Sequence, residues 1–238
     1  MQSIESNLRA LNDRITRACE AVDRDPAEVT LIGVSKTKPA AAVRTAANLG
    51  VCQLGENYLD EAIVKIEATR DLDLVWHYIG RIQSNKTRTI AELFDWVHTL
   101  DRSKIAQRLN DQCPADKKLN VLIQINIDAD PAKGGVSMVE ASTLLTQICH
   151  LPNLRARGLM TILAQDSNPR VSYQSMAQLF TTLGAQLDAQ QTLGWDTLSM
   201  GMTGDLEAAI AAGATHVRIG RALFGERTVS GSGHTSNH

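Results

Sequence analysis

Apolar positions near the start of the chain recur with the period of a helix. Ile4, Leu8, Leu11, Ile15 and Val22 are separated by steps of three, four or seven residues. This spacing places the five side chains on one face of an amphipathic helix. The segment DRDP follows, and its proline predicts that the helix ends before it. The first predicted element is therefore a helix.

Beyond this helix, apolar runs with the length of strands alternate with helix-like segments. The eight strand candidates are TLIGVSK, VCQLGEN, LVWHYIG, WVHTL, NVLIQINI, LRARGLMTI, TLSMGM and HVRIG. Pro39 and Ser84 predict helix starts, and Gly50 and Gly213 predict helix ends. Regular alternation of strands and helices predicts a parallel sheet.

Eight such repeats in this length predict one domain, a single (β/α)8 TIM-type barrel over residues 1–227 with an extra N-terminal helix. A doubly wound open sheet is the alternative. The Gly/Ser/Asn-rich tail, residues 228–238, is predicted to be disordered.

Composition narrows the function. The chain has 238 residues, 43% of them hydrophobic, which is enough for one sizeable core. A net charge of −2 and 4% aromatic residues give neither a basic surface nor stacking platforms, so we expect no nucleic acid or membrane partner. The four cysteines are scattered, so we expect reduced thiols and no metal site. The chain has no signal-like start and no apolar run of about 20 residues, which predicts a cytoplasmic protein. The sequence shows no exposed apolar stripe that would indicate an oligomer, so we expect a monomer.

In a barrel of this type, function lies where the strands end. The side chains at or near those ends are Lys36, Asn57, His77, Met160, Ser199 and Arg218. Alternation along HVRIG places Arg218 inside the barrel, with Val217 and Ile219 facing the helices. The same rule places Ser199 and Gly201 on one face.

Two glycine-bearing turns, SMGMTGD and RIGRALFG, follow the seventh and eighth strands. Each leads into a helix, and amide groups at a helix start attract anions. Barrels often hold a phosphate at this position, next to a short extra helix such as the one predicted for GRALF. We therefore expect a phosphate-binding region here, with loop glycines of no special function as the alternative.

Two lysines follow the first strand, which adjoins the eighth in a closed barrel. Lys36 and Lys38 share one face, so alternation does not distinguish them. Lys38 precedes Pro39 at a helix entry and is expected at the exposed rim. Lys36 lies one step deeper, where partial burial and the charge of Arg218 favour the neutral amine that a Schiff base requires. A Schiff-base lysine beside a phosphate site indicates pyridoxal phosphate. Two solvated surface lysines are the alternative.

The segments VSKTKP, GENY, WHYIGRIQSNK, GLMTI, LSMGMTGDLEAAI and VRIGRALFG resemble the signatures of the YggS/PROSC family of pyridoxal phosphate homeostasis proteins. The resemblance covers nearly the whole chain, in order. It implies a barrel like the N-terminal domain of alanine racemase, with pyridoxal 5′-phosphate covalently bound to Lys36 and no established catalytic activity.

The same resemblance assigns further residues. It implies that Arg218 faces the pyridine nitrogen and that Ser199 and the backbone of Gly220 and Arg221 contact the phosphate. Thr203 stands where many members have serine and keeps a hydroxyl group. Pocket walls are expected from Asn57, His77 and Met160.

Three functions remain open from the sequence. The first is a carrier or buffer of pyridoxal phosphate, whose partners are the cofactor and the apo-enzymes that use it. The second is a pyridoxal phosphate enzyme such as an amino-acid racemase. The third is an aldolase-like barrel that uses Lys36 on a sugar phosphate. Arg218 can only donate a hydrogen bond, so it makes the pyridine ring a poorer electron sink and favours the first function.

Overall fold

The computed structural model describes residues 3–226 of the chain and folds eight parallel strands into a closed barrel. The strands are β1 (Thr30–Val34), β2 (Gln53–Glu56), β3 (Val75–Tyr78), β4 (Trp96–Leu100), β5 (Leu119–Ile125), β6 (Leu154–Thr161), β7 (Thr197–Ser199) and β8 (His216–Ile219). The barrel closes because β1 pairs with both β2 and β8. This confirms the predicted (β/α)8 barrel and excludes the open sheet. The predicted tail at 228–238 and the domain end at residue 227 lie outside the described residues.

Helices follow the strands and cover the outside of the barrel. Within the described residues they are α1 (Ile4–Glu20), α2 (Ala40–Asn48), α3 (Leu59–Ala68), α4 (Thr87–Leu93), α5 (Ser103–Gln112), α6 (Met138–Cys149), α7 (Pro169–Gly184), α8 (Ala189–Thr192), α9 (Leu206–Ala211) and α10 (Arg221–Phe224). No helix in this part of the chain is long and apolar enough to cross a membrane.

The extra N-terminal helix α1 packs against the last two helices of the barrel. Arg14 forms an ion pair with Glu207 of α9 at 2.8 Å. Asn7 donates a hydrogen bond from Nδ2 to the carbonyl of Leu223 in α10 at 3.0 Å. The helix ends before Val22, which lies outside it and is 38% exposed. The helix α1 thus braces the end of the barrel that follows β8.

Several predicted boundaries are confirmed and others are wrong. Pro39 is the N-cap of α2, and Gly50 and Gly213 follow α2 and α9 with positive φ angles. Ser84 does not begin a helix, because its carbonyl accepts the hydroxyl of Thr87 and a turn occupies residues 84–86. The long helix predicted after the sixth strand is divided into α7 and α8, since the Asp188 side chain caps α8 separately.

The core consists of a large apolar layer and a more polar barrel interior. Val217 and Ile219 belong to the main apolar cluster, as alternation predicts. A second, smaller cluster contains Trp96, Leu122 and Met160. The smaller cluster therefore includes one residue that was expected to line a pocket.

Candidate functional site

The first predicted site residue, Lys36, lies in a turn and not in a strand. The strand β1 ends at Val34, and Lys36 is half-buried in the turn that leads to α2. Thr37, the next residue, has a φ of 63°, which is an unusual backbone conformation for a β-branched residue. Lys38 donates a hydrogen bond from Nζ to the carbonyl of Glu226. Lys38 is half-buried like Lys36, so the exposed position expected for Lys38 does not separate the two lysines.

Asn57 follows β2 at the same end of the barrel. Its Oδ1 atom is buried and has no hydrogen-bond partner among the described residues. The loop after β3 packs directly on Asn57, since a Cβ on Gly80 would lie 1.9 Å from the Asn57 carbonyl oxygen. Buried polar atoms are rarely left unpaired, so this amide oxygen is a candidate ligand contact.

Arg218 lies inside the barrel, as its position on β8 predicts. It is 5% exposed, and it donates from Nη1 to Ser199 Oγ and from Nη2 to the carbonyl of Thr161, both at 2.8 Å. No carboxylate among the described residues forms an ion pair with it. Burial lowers the pKa of Arg218, although a guanidinium stays charged in proteins. Asp205 favours the charged form of Arg218 only from beyond ion-pair distance. A buried cation without a close anionic partner is costly, which makes this side chain a candidate for ligand binding.

A chain of hydrogen bonds continues from Arg218 across the barrel interior. Ser199 Oγ lies 2.9 Å from His98 Nδ1, and His98 Nε2 lies 2.9 Å from His77 Nδ1. His77 Nε2 then lies 2.7 Å from Oε1 of Gln53, the first residue of β2. The chain therefore connects the carboxyl end of β7 with the amino end of β2.

The direction of these hydrogen bonds follows from one acceptor. With Gln53 Oε1 accepting, His77 carries its hydrogen on Nε2 and accepts on Nδ1. His98 then donates from Nε2 and accepts on Nδ1, so Ser199 donates to His98 and accepts from Arg218. Both imidazoles are neutral in this arrangement, which agrees with burial lowering the pKa of His77 and of His98 well below the ordinary value. The hydroxyl hydrogen of Ser199 is therefore used inside the barrel.

The turn between β7 and α9 is shaped by a side chain that the sequence analysis did not single out. Asp205 accepts the amide of Met202 on Oδ1 at 2.5 Å and the hydroxyl of Tyr173 on Oδ2 at 2.9 Å. Gly201 has a φ of 95°, and a Cβ there would approach Ala209 Cβ to 2.6 Å. The turn is thus fixed on one side by a carboxylate and on the other by close packing.

The turn after β8 leads directly into the short helix α10. Gly220 is its N-cap, and the first helical hydrogen bonds run from Leu223 and Phe224 back to the Gly220 carbonyl. The amides of Arg221 and Ala222 precede these bonds. They are therefore the groups that a bound anion could use at this turn.

The structure divides the predicted site residues into two groups. At or next to the carboxyl ends of the strands are Lys36, Asn57, Gly201, Thr203, Gly220 and Arg221. Within the barrel are His77, Met160, Ser199 and Arg218, all of them buried. Their contacts with a ligand stay predictions. No three His, Cys, Asp or Glu side chains of the described residues are arranged to hold a metal ion.

One buried ion pair next to Lys36 was missed by the sequence analysis. Lys65 of α3 lies 2.7 Å from Glu56, the last residue of β2, and both side chains are almost fully buried. A signal was present, because Leu59, Ala62 and Lys65 share the buried face of α3 at a spacing of three residues. A lysine on the buried stripe of a helix indicates a buried carboxylate opposite it.

Comparisons with known proteins agree with this fold. The alanine racemase N-terminal domain family matches residues 6–228. A pyridoxal phosphate homeostasis protein of Pseudomonas aeruginosa is 50% identical over 228 residues, which cover 95% of this chain and 97% of that protein. PipY of Synechococcus elongatus, solved with PLP bound, has 33% identity and a TM-score of 0.80 over 94% of this chain and all of that one.

Alanine racemase from Corynebacterium glutamicum shows a likeness of fold alone, at 17% identity and a TM-score of 0.69, over 98% of this chain and 63% of that one. The fold and the site thus define a barrel of the alanine racemase N-terminal domain type. Within that class, the chain belongs to the family of pyridoxal phosphate homeostasis proteins.

Proposed function

We propose that this protein binds pyridoxal 5′-phosphate covalently through Lys36 and acts as a carrier or buffer of the cofactor in the cytoplasm. The observation that carries the proposal is the pairing of β1 with β8, which sets Ile32 opposite Arg218. The turn that carries Lys36 therefore follows the strand that neighbours the buried guanidinium of Arg218. Pyridoxal phosphate is also supported as the ligand by the name of the Pseudomonas aeruginosa relative and by the PipY structure with PLP bound.

Each part of the ligand has a suitable group in the chain. When bound, pyridoxal 5′-phosphate supplies an aldehyde that condenses with a neutral amine and releases one water. Lys36 provides that amine. Arg218 can only donate, so it would keep the ring nitrogen in its unprotonated, accepting form. An arginine at this position weakens the ring as an electron sink, which suits binding of the cofactor better than catalysis with it.

The turns after β7 and β8 would hold the phosphate. Thr203 offers a hydroxyl group, and the backbone of Gly220 and Arg221 stands at the start of α10. Gly201 keeps the first turn close to α9. Because the hydrogen of Ser199 is used by His98, Ser199 would act on the ligand through Arg218 or through its backbone. Asn57, His77 and Met160 complete the proposed walls.

We also infer a monomer in a reducing compartment. All four cysteines are free thiols, and two of them are buried. The proposed partners are the cofactor and the apo-enzymes that need it, with no nucleic acid or membrane. Sedimentation of the loaded protein at micromolar concentration would detect a dimer.

The direct test is to reduce the loaded protein with borohydride and map the modified peptide. We expect one equivalent of cofactor on Lys36, with Lys38→Ala keeping the same adduct. Lys36→Ala should lower the affinity for pyridoxal 5′-phosphate by at least about tenfold, because the covalent link at this position is lost. An adduct on Lys38 in the unaltered protein would refute the assignment. A colourless protein that forms no adduct would favour the aldolase-like alternative.

A further inference from the structure

The residues on both sides of Lys36 are bonded to one buried cluster of charges. Lys65 Nζ lies 2.7 Å from the carbonyl oxygen of Ser35 and 2.7 Å from Glu56 Oε1. Ser35 also donates from Oγ to the same Glu56 oxygen at 2.5 Å. The side chains of Lys65 and Glu56 are 5% and 0% exposed. The residue before Lys36 is therefore fixed through its backbone and its side chain.

The residue after Lys36 is held by the same cluster. The amide of Thr37 donates to Glu61 Oε2 at 2.7 Å, and that oxygen lies 3.4 Å from Lys65 Nζ. The φ of 63° at Thr37 costs about 1–2 kcal/mol for a residue with a Cβ, so neighbouring contacts must maintain it. Glu61 supplies such a contact.

Stability alone does not account for a charge pair at this position. Moving two charges into a barrel wall carries a desolvation cost that apolar residues of similar size would avoid. Burial does raise the pKa of Glu56, and hydrogen bonds from Lys65 and Ser35 oppose that shift. The contacts of the pair converge on the backbone of one turn, which is the turn that carries the reactive amine.

We propose that the Glu56–Lys65 pair, together with Glu61, positions Lys36 for its condensation with the ligand aldehyde. This inference rests on the proposed function and adds three positioning residues to it. None of the three needs to contact the cofactor. Displacement of a reacting group by about 1 Å can slow a reaction up to a hundredfold, so the fixed turn has a kinetic consequence.

The test uses a variant that removes both buried charges together. Lys65→Met with Glu56→Gln avoids an unpaired buried charge and keeps the side-chain volumes. The matched control is Arg44→Gln with Asp71→Asn, which removes an exposed ion pair that joins α2 to the loop after α3 at 2.7 Å. The control loses the same charges but none of the contacts to Ser35.

Two ligands separate positioning from general damage. Pyridoxal 5′-phosphate reports on the amine through the rate of borohydride-trappable adduct formation at Lys36. Pyridoxine 5′-phosphate has an alcohol in place of the aldehyde, so its affinity reports on the rest of the pocket. For the double variant we expect adduct formation to slow about ten- to a hundredfold, with the affinity for pyridoxine 5′-phosphate changed less than about twofold. The control should match the unaltered protein in both measurements.

Other results have definite meanings. An unchanged rate in the double variant would overturn the inference, and so would an equal loss for both ligands. Absence of any adduct in the unaltered protein would instead refute the proposed function. Should the double variant not fold, Glu61→Ala carries the test, because the Glu61 side chain is 38% exposed and its loss leaves Lys65 still paired with Glu56. It should slow adduct formation by roughly threefold or more, and no slowing would overturn the inference.

Discussion

The imidazole rings of His77 and His98 are joined by a 2.9 Å hydrogen bond inside the barrel, and neither ring is exposed to solvent. With Gln53 as the acceptor at one end and Ser199 as the donor at the other, this bond has two neutral rings with fixed hydrogen positions. Protonation of either imidazole would place two hydrogens between the rings or reverse the bond to Ser199. The interior of the barrel is thus built around groups that ordinarily gain a proton just below neutral pH.

We therefore expect the protein to lose stability as the pH falls below about 6.5, the ordinary pKa of histidine. Burial lowers the pKa of His77 and His98, and it lowers that of His216 to about 4. The unfolded state then binds more protons than the folded state, at up to about 1.4 kcal/mol per pH unit for each histidine. The raised pKa of Glu56 has the opposite effect on the free energy of unfolding, but only one group contributes it.

Urea unfolding at pH 7.5, 6.0 and 5.0 would measure this dependence. His216→Gln should reduce the slope by as much as one proton. A free energy of unfolding that stays constant from pH 6.5 to 5 would contradict the neutral histidine chain.

Ser199 and Thr203 should respond differently to the loss of their hydroxyl groups. Ser199→Ala leaves His98 Nδ1 without a donor and Arg218 Nη1 without an acceptor, so the cofactor-free protein should lose about 1–3 kcal/mol of unfolding free energy. Thr203→Ala, in a half-buried turn, should leave that free energy unchanged. It should weaken pyridoxal 5′-phosphate binding about ten- to a hundredfold, the value of one hydrogen bond to a phosphate.

Denaturant unfolding of the two cofactor-free variants, followed by titration with cofactor, separates these effects. Equal stability of Ser199→Ala and the unaltered protein would show that the hydroxyl is not needed inside the barrel. Full affinity in Thr203→Ala would place the phosphate elsewhere.

Thr37→Gly should stabilise the cofactor-free protein by about 1 kcal/mol, because glycine adopts positive φ without a Cβ penalty. The same substitution at Thr45, inside α2, should instead destabilise it by ~0.5 kcal/mol, since glycine is a poorer helix former. Thermal unfolding of both variants gives the comparison. A loss of stability at both positions would mean that the Thr37 turn is not strained.

The protein should not racemise alanine at a rate typical of enzymes, around 1 per second or more. Racemisation needs a base on each face of the reacting carbon, and Lys36 can serve only one. The hydroxyl of Tyr78 donates to the Arg81 carbonyl, and that of Tyr173 donates to Asp205. Tyr58 is 53% exposed at the start of α3.

Incubation of the loaded protein with L-alanine in deuterated water would detect exchange and inversion. Turnover that is lost in Lys36→Ala would make the protein an enzyme and overturn the carrier proposal.

Local patterns predicted the fold and the position of Arg218 inside the barrel. Strand–helix alternation specifies a parallel barrel, and the parity of HVRIG places Arg218 inside it, as observed. Both inferences use neighbours in sequence. The Pro39 start of α2 and the glycine ends of α2 and α9 are equally local and were also predicted.

Contacts between distant residues could not be predicted in this way. Ser199 is bonded to His98, 101 residues away. Sequence position alone could not show whether its hydroxyl contacts a phosphate or a side chain inside the barrel. Lys65 and Glu56 are close in sequence, but their meeting depends on how α3 packs over β2. Alternation alone also extended β1 to Lys36, whereas a carboxylate from α3 holds the following residue in a turn.

The turn around Lys36 has a consequence for attempts to build such a site elsewhere. The contacts that hold this turn come from three separate segments, because Ser35 lies in the turn, Glu56 in β2 and Lys65 in α3. Grafting VSKTKP onto another barrel would transfer the amine but not its support. The smallest portable unit is the continuous stretch from β1 through α3, residues 30–68, and a designer who copies less should expect an ordinary surface lysine.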